Sequence, residues 1–233
     1  MAERPRTVAS CSISLDGYLD AGGEERLVLS SAEDLRRVDG VRAWADAIMV
    51  GAATVRNDDP RLLVRDPELR RGRIEAGRSP SPTKVTLTRS GDLDPTNRFF
   101  TTGDVEKLVY CPPSVAARAR RRLGSSATVV GLDRSTELAV VLDDLHRRGV
   151  RRLMVEGGGC LLTQLFTEDL VDELHLSVAP FFVGTSRGRR FVGDGEFPFN
   201  SCRRASLRRT TRLGDVVLLH YDLASAPAMR RAT

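Results

Sequence analysis

The sequence predicts an α/β fold with a mostly parallel central sheet, flanking helices and antiparallel C-terminal strands. Apolar runs of strand length alternate with segments of helical periodicity, which is typical of strand–helix–strand units. The hydrophobic fraction of 41% and the charged fraction of 29% are close to those of globular domains. No internal repeat and no linker-like composition is visible, so we expect residues 1–233 to form a single domain with its core at about residues 6–222.

The first half of the chain is predicted to hold a long helix at Ser30–Asp46 among several buried strands. Ser30 and Glu33 fit a capping box at the start of this helix, and apolar residues follow at helical spacing. The polar, arginine-rich stretch Arg65–Pro82 is predicted to be a surface excursion. The strands predicted in this half are Thr7–Ile13, Ala47–Val50, Lys84–Thr88 and Lys107–Tyr110.

The second half is predicted to contain three helices, four strands and the long loop Gly184–Arg204. The helices are one between Pro113 and Gly124 capped by Ser114, one capped by Ser135 and closed by Gly149, and one from about Cys160 to Phe166. The strands are Ala127–Val130, Val150–Val155, Asp172–Ala179 and Val216–Tyr221.

Charge and motif content exclude several classes of protein. The net charge is +5, but the basic clusters Arg118–Arg122 and Arg203–Arg212 contain no aromatic residues for base stacking, so nucleic-acid binding is not expected. No apolar run reaches the roughly 20 residues of a membrane helix, and no secretory signal is visible. The four cysteines and three histidines are scattered, so no metal site is predicted. We expect a cytoplasmic protein.

The most informative motif is Val155–Leu162, which contains three consecutive glycines between a predicted strand and a predicted helix. Glycines allow a ligand close to the backbone, and the free N–H groups of a helix start favour phosphate. Glu156 ends the strand, at the edge where open α/β sheets place ligands. The order of residues fits neither the dinucleotide fingerprint nor the P-loop, and a plain tight turn explains the local pattern equally well.

Two further motifs follow earlier strands. In Val50–Leu62, small residues and Thr54 precede the adjacent carboxylates Asp58 and Asp59, which stand before Pro60. The proline predicts an extended backbone at Asp59, and a capped turn is the alternative interpretation of this segment. The third motif is the turn sequence Ser14-Leu15-Asp16-Gly17.

Together, these three motifs closely resemble the pyrimidine reductase family of riboflavin biosynthesis, whose fold is like that of dihydrofolate reductase. The matching segments are Ser14–Gly17, Val50–Arg65, Val155–Gly158, Leu170–Leu174 and Ala179–Gly184, and the resemblance runs from about Arg6 to Asp222. The resemblance implies an NADPH-dependent homodimer acting on a 5-amino-6-(5-phosphoribosylamino)uracil-like pyrimidine. Hydride transfer to C1′ of its ribose would open the sugar to a ribityl chain.

The resemblance also assigns candidate site residues. Cofactor-side positions are Ser12, Thr54, Asp58, Arg89, Ser90, Gly157, Gly158, Gly159, Cys160 and Leu161, with the Gly158–Gln164 turn on the cofactor phosphates. Substrate-side positions are Asp16, Arg42, Leu62, Arg65 and Glu156. Asp58 and Glu156 are the candidate catalytic residues, since either carboxylate could hold the sugar hydroxyls or handle the proton that the reaction consumes. Arg42 and Arg65 suit a substrate phosphate.

The sequence departs from the family pattern at two places that concern the substrate. Ser10 stands where the family often has lysine, and Val28-Leu29-Ser30 stands where it often has Trp-Ile-Thr. The H-x-E and P-C-x-x-C motifs of the fused zinc deaminase are absent, so no deaminase domain is expected. Two alternatives stay open: a reductase of the same fold acting on a dihydrofolate-like pterin or a secondary-metabolite precursor, and a non-catalytic binding protein.

Overall fold

The computed structural model describes residues 3–23, 27–133 and 137–224. Its strands are β1 (Arg6–Ser14), β2 (Ala47–Gly51), β3 (Thr83–Leu87), β4 (Lys107–Cys111), β5 (Thr128–Gly131), β6 (Arg152–Val155), β7 (Glu173–Ala179), β8 (Ser206–Leu213) and β9 (Val216–Asp222). Its α-helices are α1 (Ala32–Trp44), α2 (Ala52–Asp58), α3 (Pro67–Glu75), α4 (Arg98–Thr101), α5 (Pro113–Leu123), α6 (Leu138–Arg147) and α7 (Gly159–Thr167). None of these helices is both long and apolar enough to cross a membrane, as far as the described residues go.

The chain forms two compact units. The first is built mainly from residues 37–158, and the second from residues 6–36 together with the chain from residue 159. In the first unit the strands are all parallel and lie in the order β5-β4-β3-β2-β6. Their apolar residues are almost completely buried, as expected for a parallel sheet covered on both faces by helices.

The second unit places its strands in the order β1-β7-β9-β8. Strand β1 pairs with β7 in parallel, whereas β9 is antiparallel to both β7 and β8. A tight turn at Gly214 connects β8 to β9, and its positive φ of 70° is a conformation that glycine adopts without strain. The predicted antiparallel C-terminal strands are therefore confirmed.

All eight predicted strands are present to within two residues at each end, but β8 was not predicted. Its sequence is arginine-rich and mostly exposed, so it lacks the apolar alternation that marks a half-buried strand. Helices α2 and α4 were also missed. The loop Gly184–Arg204 is confirmed, with only an isolated bridge at Arg190.

The stretch Arg65–Pro82 is not a simple surface excursion, because it contains helix α3. Pro67 occupies the first turn, and the Asp66 side chain accepts hydrogen bonds from the N–H groups of Glu68 and Leu69. Arg73 is buried and donates to the carbonyls of Ala43 and Ala45, at 2.8 and 2.6 Å. The sequence does not indicate this burial, because Arg73 is one of many arginines in the chain.

Two predicted helix caps are wrong. Ser31, not Ser30, caps α1, because its Oγ accepts from the N–H of Asp34 at 3.1 Å. Ser114 lies inside α5, which begins at Pro113 without a side-chain cap. Gly124 does end that helix, at a φ of 53°. The predicted cap Ser135 lies outside the described residues.

Lys84 is fully buried, and its ammonium donates to the carbonyls of Phe99 and Thr102 at 2.9 and 2.6 Å. Burial, with a smaller contribution from the charge of Lys107, lowers the pKa of Lys84 from 10.5 to about 8. Between these two values the unfolded chain binds more protons than the folded one. The free energy of unfolding should therefore rise as the pH increases from about 8 towards 10.5.

Urea unfolding at several pH values tests this expectation. The rise with pH should be lost in Lys84→Met and kept in Lys107→Met, which removes the chain's other lysine, a less buried one. Equal pH profiles for the parent and Lys84→Met would contradict it.

Candidate active site

Three segments of the first unit leave the same edge of its parallel sheet. They follow β2, β3 and β6, whose carboxyl ends are aligned because Gly51 lies opposite Leu87 and Met49 opposite Val155. Ligands of open α/β sheets bind at this edge. The structure therefore brings three segments together at the carboxyl edge of this sheet. Two of them contain sequence motifs, and the third is the predicted strand end Thr88–Ser90.

The end of β2 and the start of α2 are hydrogen-bonded to the turn after β6. The N–H of Gly51 donates to the carbonyl of Gly157 at 3.1 Å, and the N–H of Gly158 donates to Thr54 Oγ1 at 3.2 Å. Gly157 has a φ of 117°, and a Cβ on Gly158 would come within 2.9 Å of Thr54 Oγ1. Gly157 is thus favoured by its backbone conformation and Gly158 by its close contact with Thr54. A Gly158→Val substitution would disturb this turn directly.

Arg42 and Glu156 form a two-pronged ion pair. The Nε and Nη2 atoms of Arg42 donate to the two carboxylate oxygens of Glu156 at 2.5 and 2.6 Å, and Nη1 donates to the carbonyl of Leu63 at 3.0 Å. Only 13% and 15% of the two side chains are exposed. Burial opposes the charge on Arg42, but the field of Glu156 outweighs it and raises the pKa of Arg42.

Asp58 and Asp59 have different environments. Asp58 is the last residue of α2 and is exposed. Asp59 is not extended as predicted: its φ of 41° and ψ of 57° place it in the left-handed region, where it ends α2. Its carboxylate accepts hydrogen bonds from the backbone N–H and the Nε of Arg98, which overcome the bias imposed by Pro60. Asp59 therefore anchors α4.

The segment after Pro60 contains two predicted substrate residues, Leu62 and Arg65, whose side chains lie in different environments. The side chain of Leu62 is 2% exposed and packs in the hydrophobic core of the first unit. Arg65 is exposed, and its backbone N–H donates to Oδ2 of the buried Asp39 at 2.7 Å. The N–H of Asp66 donates to the same oxygen at 2.6 Å. Arg65 can therefore reach a ligand through its side chain, whereas the side chain of Leu62 is taken up by packing.

At the strand end Thr88–Ser90, the first residue is buried and the next two residues are exposed to solvent. Thr88 is buried, and its Oγ1 accepts from the N–H of Gly91 at 3.0 Å. Arg89 and Ser90 are exposed. The guanidinium of Arg118 donates to the carbonyl of Ser90, so a second arginine lies beside this segment.

In the second unit, the start of α7 combines an exposed Cys160 with a buried Leu161. A Cβ on Gly159 would come within 2.7 Å of the carbonyl of Arg190, so glycine is required there as well. Thr163 Oγ1 donates to the carbonyl of Gly159 at 2.7 Å and accepts from the N–H of Gly193 at 2.8 Å. Because the side chain of Leu161 packs inward, its contact with a ligand would use its backbone N–H.

Ser12 belongs to a polar network of the second unit. Its Oγ lies 3.0 Å from Ser30 Oγ and donates to Oδ2 of Asp34 at 3.2 Å. Ser177 Oγ donates to the other oxygen of Asp34 at 2.8 Å, and Asp34 is fully buried. The carboxylate of Asp34 thus holds the side chain of Ser12 in place near the end of β1.

The Asp16 carboxylate accepts hydrogen bonds from three groups of the protein. Ser14 Oγ donates to Oδ1 at 2.5 Å, and the N–H groups of Val183 and Gly184 donate at 3.0 and 2.8 Å. The hydrogen bond from Ser14 is the main cause that lowers the pKa of Asp16 to about 2. In this structure Asp16 ties the Ser14–Gly17 turn to the segment after β7.

Comparison with known proteins identifies the family. The sequence model of the RibD C-terminal domain matches residues 5–219. The chain belongs to this family. It is 38% identical to the 2,5-diamino-6-ribosylamino-4(3H)-pyrimidinone 5′-phosphate reductase of Archaeoglobus fulgidus, over 88% of this chain and 94% of that protein. The reductase of the same name from Methanothermobacter thermautotrophicus is 34% identical, over 94% of this chain and 99% of that protein.

Solved structures confirm the fold of the RibD C-terminal domain. The RibD protein of Acinetobacter baumannii superposes with a TM-score of 0.77 at 23% identity, covering 94% of this chain. The chain spans 58% of the length of that protein. A pyrimidine reductase-like protein of Corynebacterium diphtheriae gives 0.75 at 23% identity, covering 94% of this chain and 91% of that chain. The expected dihydrofolate-reductase-like architecture and the family resemblance are both confirmed.

Sequence reasoning missed the acidic residues that hold the candidate segments of this RibD-family chain. Asp34 and Asp39 both lie on α1, and both are buried. Asp34 stands four and seven residues before Val38 and Val41, on the apolar stripe of the helix. An acid on an apolar stripe is a signal of a buried hydrogen-bonded carboxylate, and it could have identified Asp34.

Proposed function

We propose that the chain is an NADPH-dependent reductase that converts the ribosyl group of a ribosylaminopyrimidine 5′-phosphate to a ribityl chain. The observation that carries this proposal is the 38% identity to a reductase of that name over nearly its whole length. The 2,5-diamino pyrimidinone in that name is the first substrate to test, and 5-amino-6-(5-phosphoribosylamino)uracil is the second. Since the family match spans both units, we propose that they act as one reductase domain.

NADPH would supply the hydride, and the chain would orient both ligands and exclude water. The residues proposed to hold the cofactor are Ser12, Thr54, Asp58, Arg89, Ser90 and Gly157–Leu161. Two observations support them. The free N–H groups that begin α7 follow a glycine turn, which suits phosphate, and Arg89 carries an exposed guanidinium that suits a 2′-phosphate.

The proposed substrate residues are Asp16, Arg42, Leu62, Arg65 and Glu156. Their contacts within the protein indicate how each of them could act on a ligand. Arg65 has an exposed guanidinium, which suits the 5′-phosphate. Glu156 keeps its carboxylate oriented through Arg42 and could accept hydrogen bonds from sugar hydroxyls. Asp58 is the exposed carboxylate proposed to act in catalysis. Asp16 and Leu62 would contribute indirectly, because their side chains hold the backbone of their own segments in position.

The decisive experiment is to follow NADPH oxidation with each of the two pyrimidines and to identify the product by mass spectrometry. A product heavier by two hydrogen atoms, formed faster with NADPH than with NADH, is expected. NADPH that binds without turnover with either pyrimidine would favour another heterocycle as substrate. Absence of NADPH binding would favour the non-catalytic alternative.

Cys160→Glu should weaken NADPH binding roughly tenfold, because it adds a negative charge at the helix start proposed to hold the cofactor phosphates. Cys160 is exposed, so the fold should tolerate the change. Cys160→Gln is the matched control, since it has the same shape without the charge. Fluorescence titration of NADPH gives both affinities; equal values would contradict the assignment of phosphates to this turn.

We also propose a homodimer. On one face of the second unit, Val178 lies opposite Val217 and Leu176 opposite Leu219; Val217 is exposed and the other three side chains are only partly buried. Phe182, just after β7, is 73% exposed. Sedimentation should show a dimer at micromolar concentration, and Phe182→Glu should shift it towards monomer. A monomeric parent protein would refute this proposal.

A further inference from the structure

A cluster of one carboxylate and two imidazoles lies on the C-terminal strands of the second unit and includes none of the residues proposed for reductase activity. Glu173 and His175 lie on β7, and His220 lies opposite His175 on β9. One ligand atom from each of the three side chains lies within 4.8 Å of the other two. We propose that Glu173, His175 and His220 form a binding site for a transition-metal dication, with Zn²⁺ as the best fit.

The distances within this Glu–His–His cluster suit a tetrahedral metal. Oε2 of Glu173 lies 2.7 Å from Nε2 of His220 and 3.4 Å from Nε2 of His175. Zn²⁺ binds nitrogen and oxygen ligands at about 2.0–2.2 Å, so tetrahedral ligand atoms are separated by roughly 3.3–3.5 Å. A shift of the Glu173 oxygen by less than 1 Å would bring its contact with His220 to this spacing, and the imidazole ligand atoms, which lie within 4.8 Å of each other, would close around the ion. Water would complete the coordination at the partly exposed His220 side.

The surroundings of Glu173 orient it as a ligand. Arg6 donates to Oε1, which leaves Oε2 directed at the two imidazoles. An ionised carboxylate held by a second residue is the usual partner arrangement of a zinc site.

The donor set defines the class of metal. Two imidazoles and one carboxylate form a set used by zinc sites, whereas Mg²⁺ and Ca²⁺ prefer oxygen ligands alone. Binding would release the proton between Nε2 of His220 and Glu173 to solvent, since the metal takes the lone pair of that nitrogen. The ion would link β7 to β9. Because Glu173 and His175 alternate with Leu174 and Leu176, the site lies on the opposite strand face from the proposed dimer contact.

Isothermal titration of the metal-free full chain with ZnCl₂ tests this site, and Co²⁺ absorption reports its geometry. One Zn²⁺ should bind per chain, with the intense visible bands of tetrahedral Co²⁺. Glu173→Gln, His175→Gln and His220→Gln should each weaken binding at least about tenfold. His146→Gln is the matched control, because His146 faces a single glutamate, Glu3, at 2.9 Å. Its affinity should equal that of the parent.

A measurement on the parent protein avoids dependence on the folding of variants. In ¹⁵N NMR spectra of the histidine rings, Zn²⁺ should shift the signals of His175 and His220 and leave those of His146 unchanged. Absence of binding at micromolar Zn²⁺, shifts at all three histidines, or unchanged affinity in the three variants would each overturn the proposal. The metal alone is the probe, so the outcome is independent of reductase activity.

Discussion

Asp58→Asn is expected to lower the turnover number by about 10²–10³, much more than it lowers the affinity for NADPH. Asp58 ends α2 with an exposed side chain at the ligand-binding edge of the parallel sheet. A carboxylate there would stabilise the positive charge that develops on the sugar carbon during reduction, and asparagine keeps the shape without the charge. Steady-state turnover with the pyrimidine substrate and fluorescence titration of NADPH measure the two quantities separately.

Asp59→Asn is the internal control. The carboxylate of Asp59 holds the backbone N–H and side chain of Arg98, so its loss should cost about 1 kcal/mol of stability and leave turnover largely intact. A turnover loss confined to Asp59→Asn would show that the wrong carboxylate was chosen. If neither substitution lowers turnover, Glu156 becomes the catalytic candidate.

The strands were predictable because burial on both faces leaves continuous apolar runs. β2, β4 and β6 are of this type, and their buried residues are those that the sequence marks as apolar, whereas β3 also buries Lys84 and Thr86. β8 could not be found in this way, because it is arginine-rich and mostly exposed, and its place in the sheet comes from pairing with β9. α3 was hidden for a related reason: its buried residue is Arg73, whose burial depends on distant carbonyls.

The sequence predicts which segments form the candidate site, but it does not predict the contacts that hold those segments in place. Three motifs located the segments Ser14–Gly17, Gly51–Asp58 and Glu156–Gly158, since glycines and small polar residues after strands are a local signal. The partners that hold the candidate segments lie far away in sequence. Asp39 fixes the backbone of Arg65, and Arg98 changes the conformation of Asp59 against the preference that Pro60 imposes. Such partners depend on the folded chain, which local patterns do not report.

Arg42→Met should destabilise the protein by about 3–5 kcal/mol, because it leaves the charge of Glu156 buried without its partner. Both side chains are less than one-sixth exposed, and the two hydrogen bonds between them are 2.5 and 2.6 Å long. Urea unfolding measures the loss. The double variant Arg42→Met, Glu156→Leu is the matched comparison. It should recover much of the stability, since replacing a whole buried pair by apolar groups is often nearly neutral.

The same variants separate the two roles open to Arg42. If Arg42 serves mainly to hold Glu156, Arg42→Lys should also lose stability, because an ammonium cannot make two parallel hydrogen bonds to a carboxylate. If its main role is to bind the substrate phosphate, Arg42→Met should raise KM and leave the free energy of unfolding almost unchanged. The 3.0 Å bond from Arg42 to the carbonyl of Leu63 favours the first outcome, since all three polar groups of the guanidinium are already engaged by the protein.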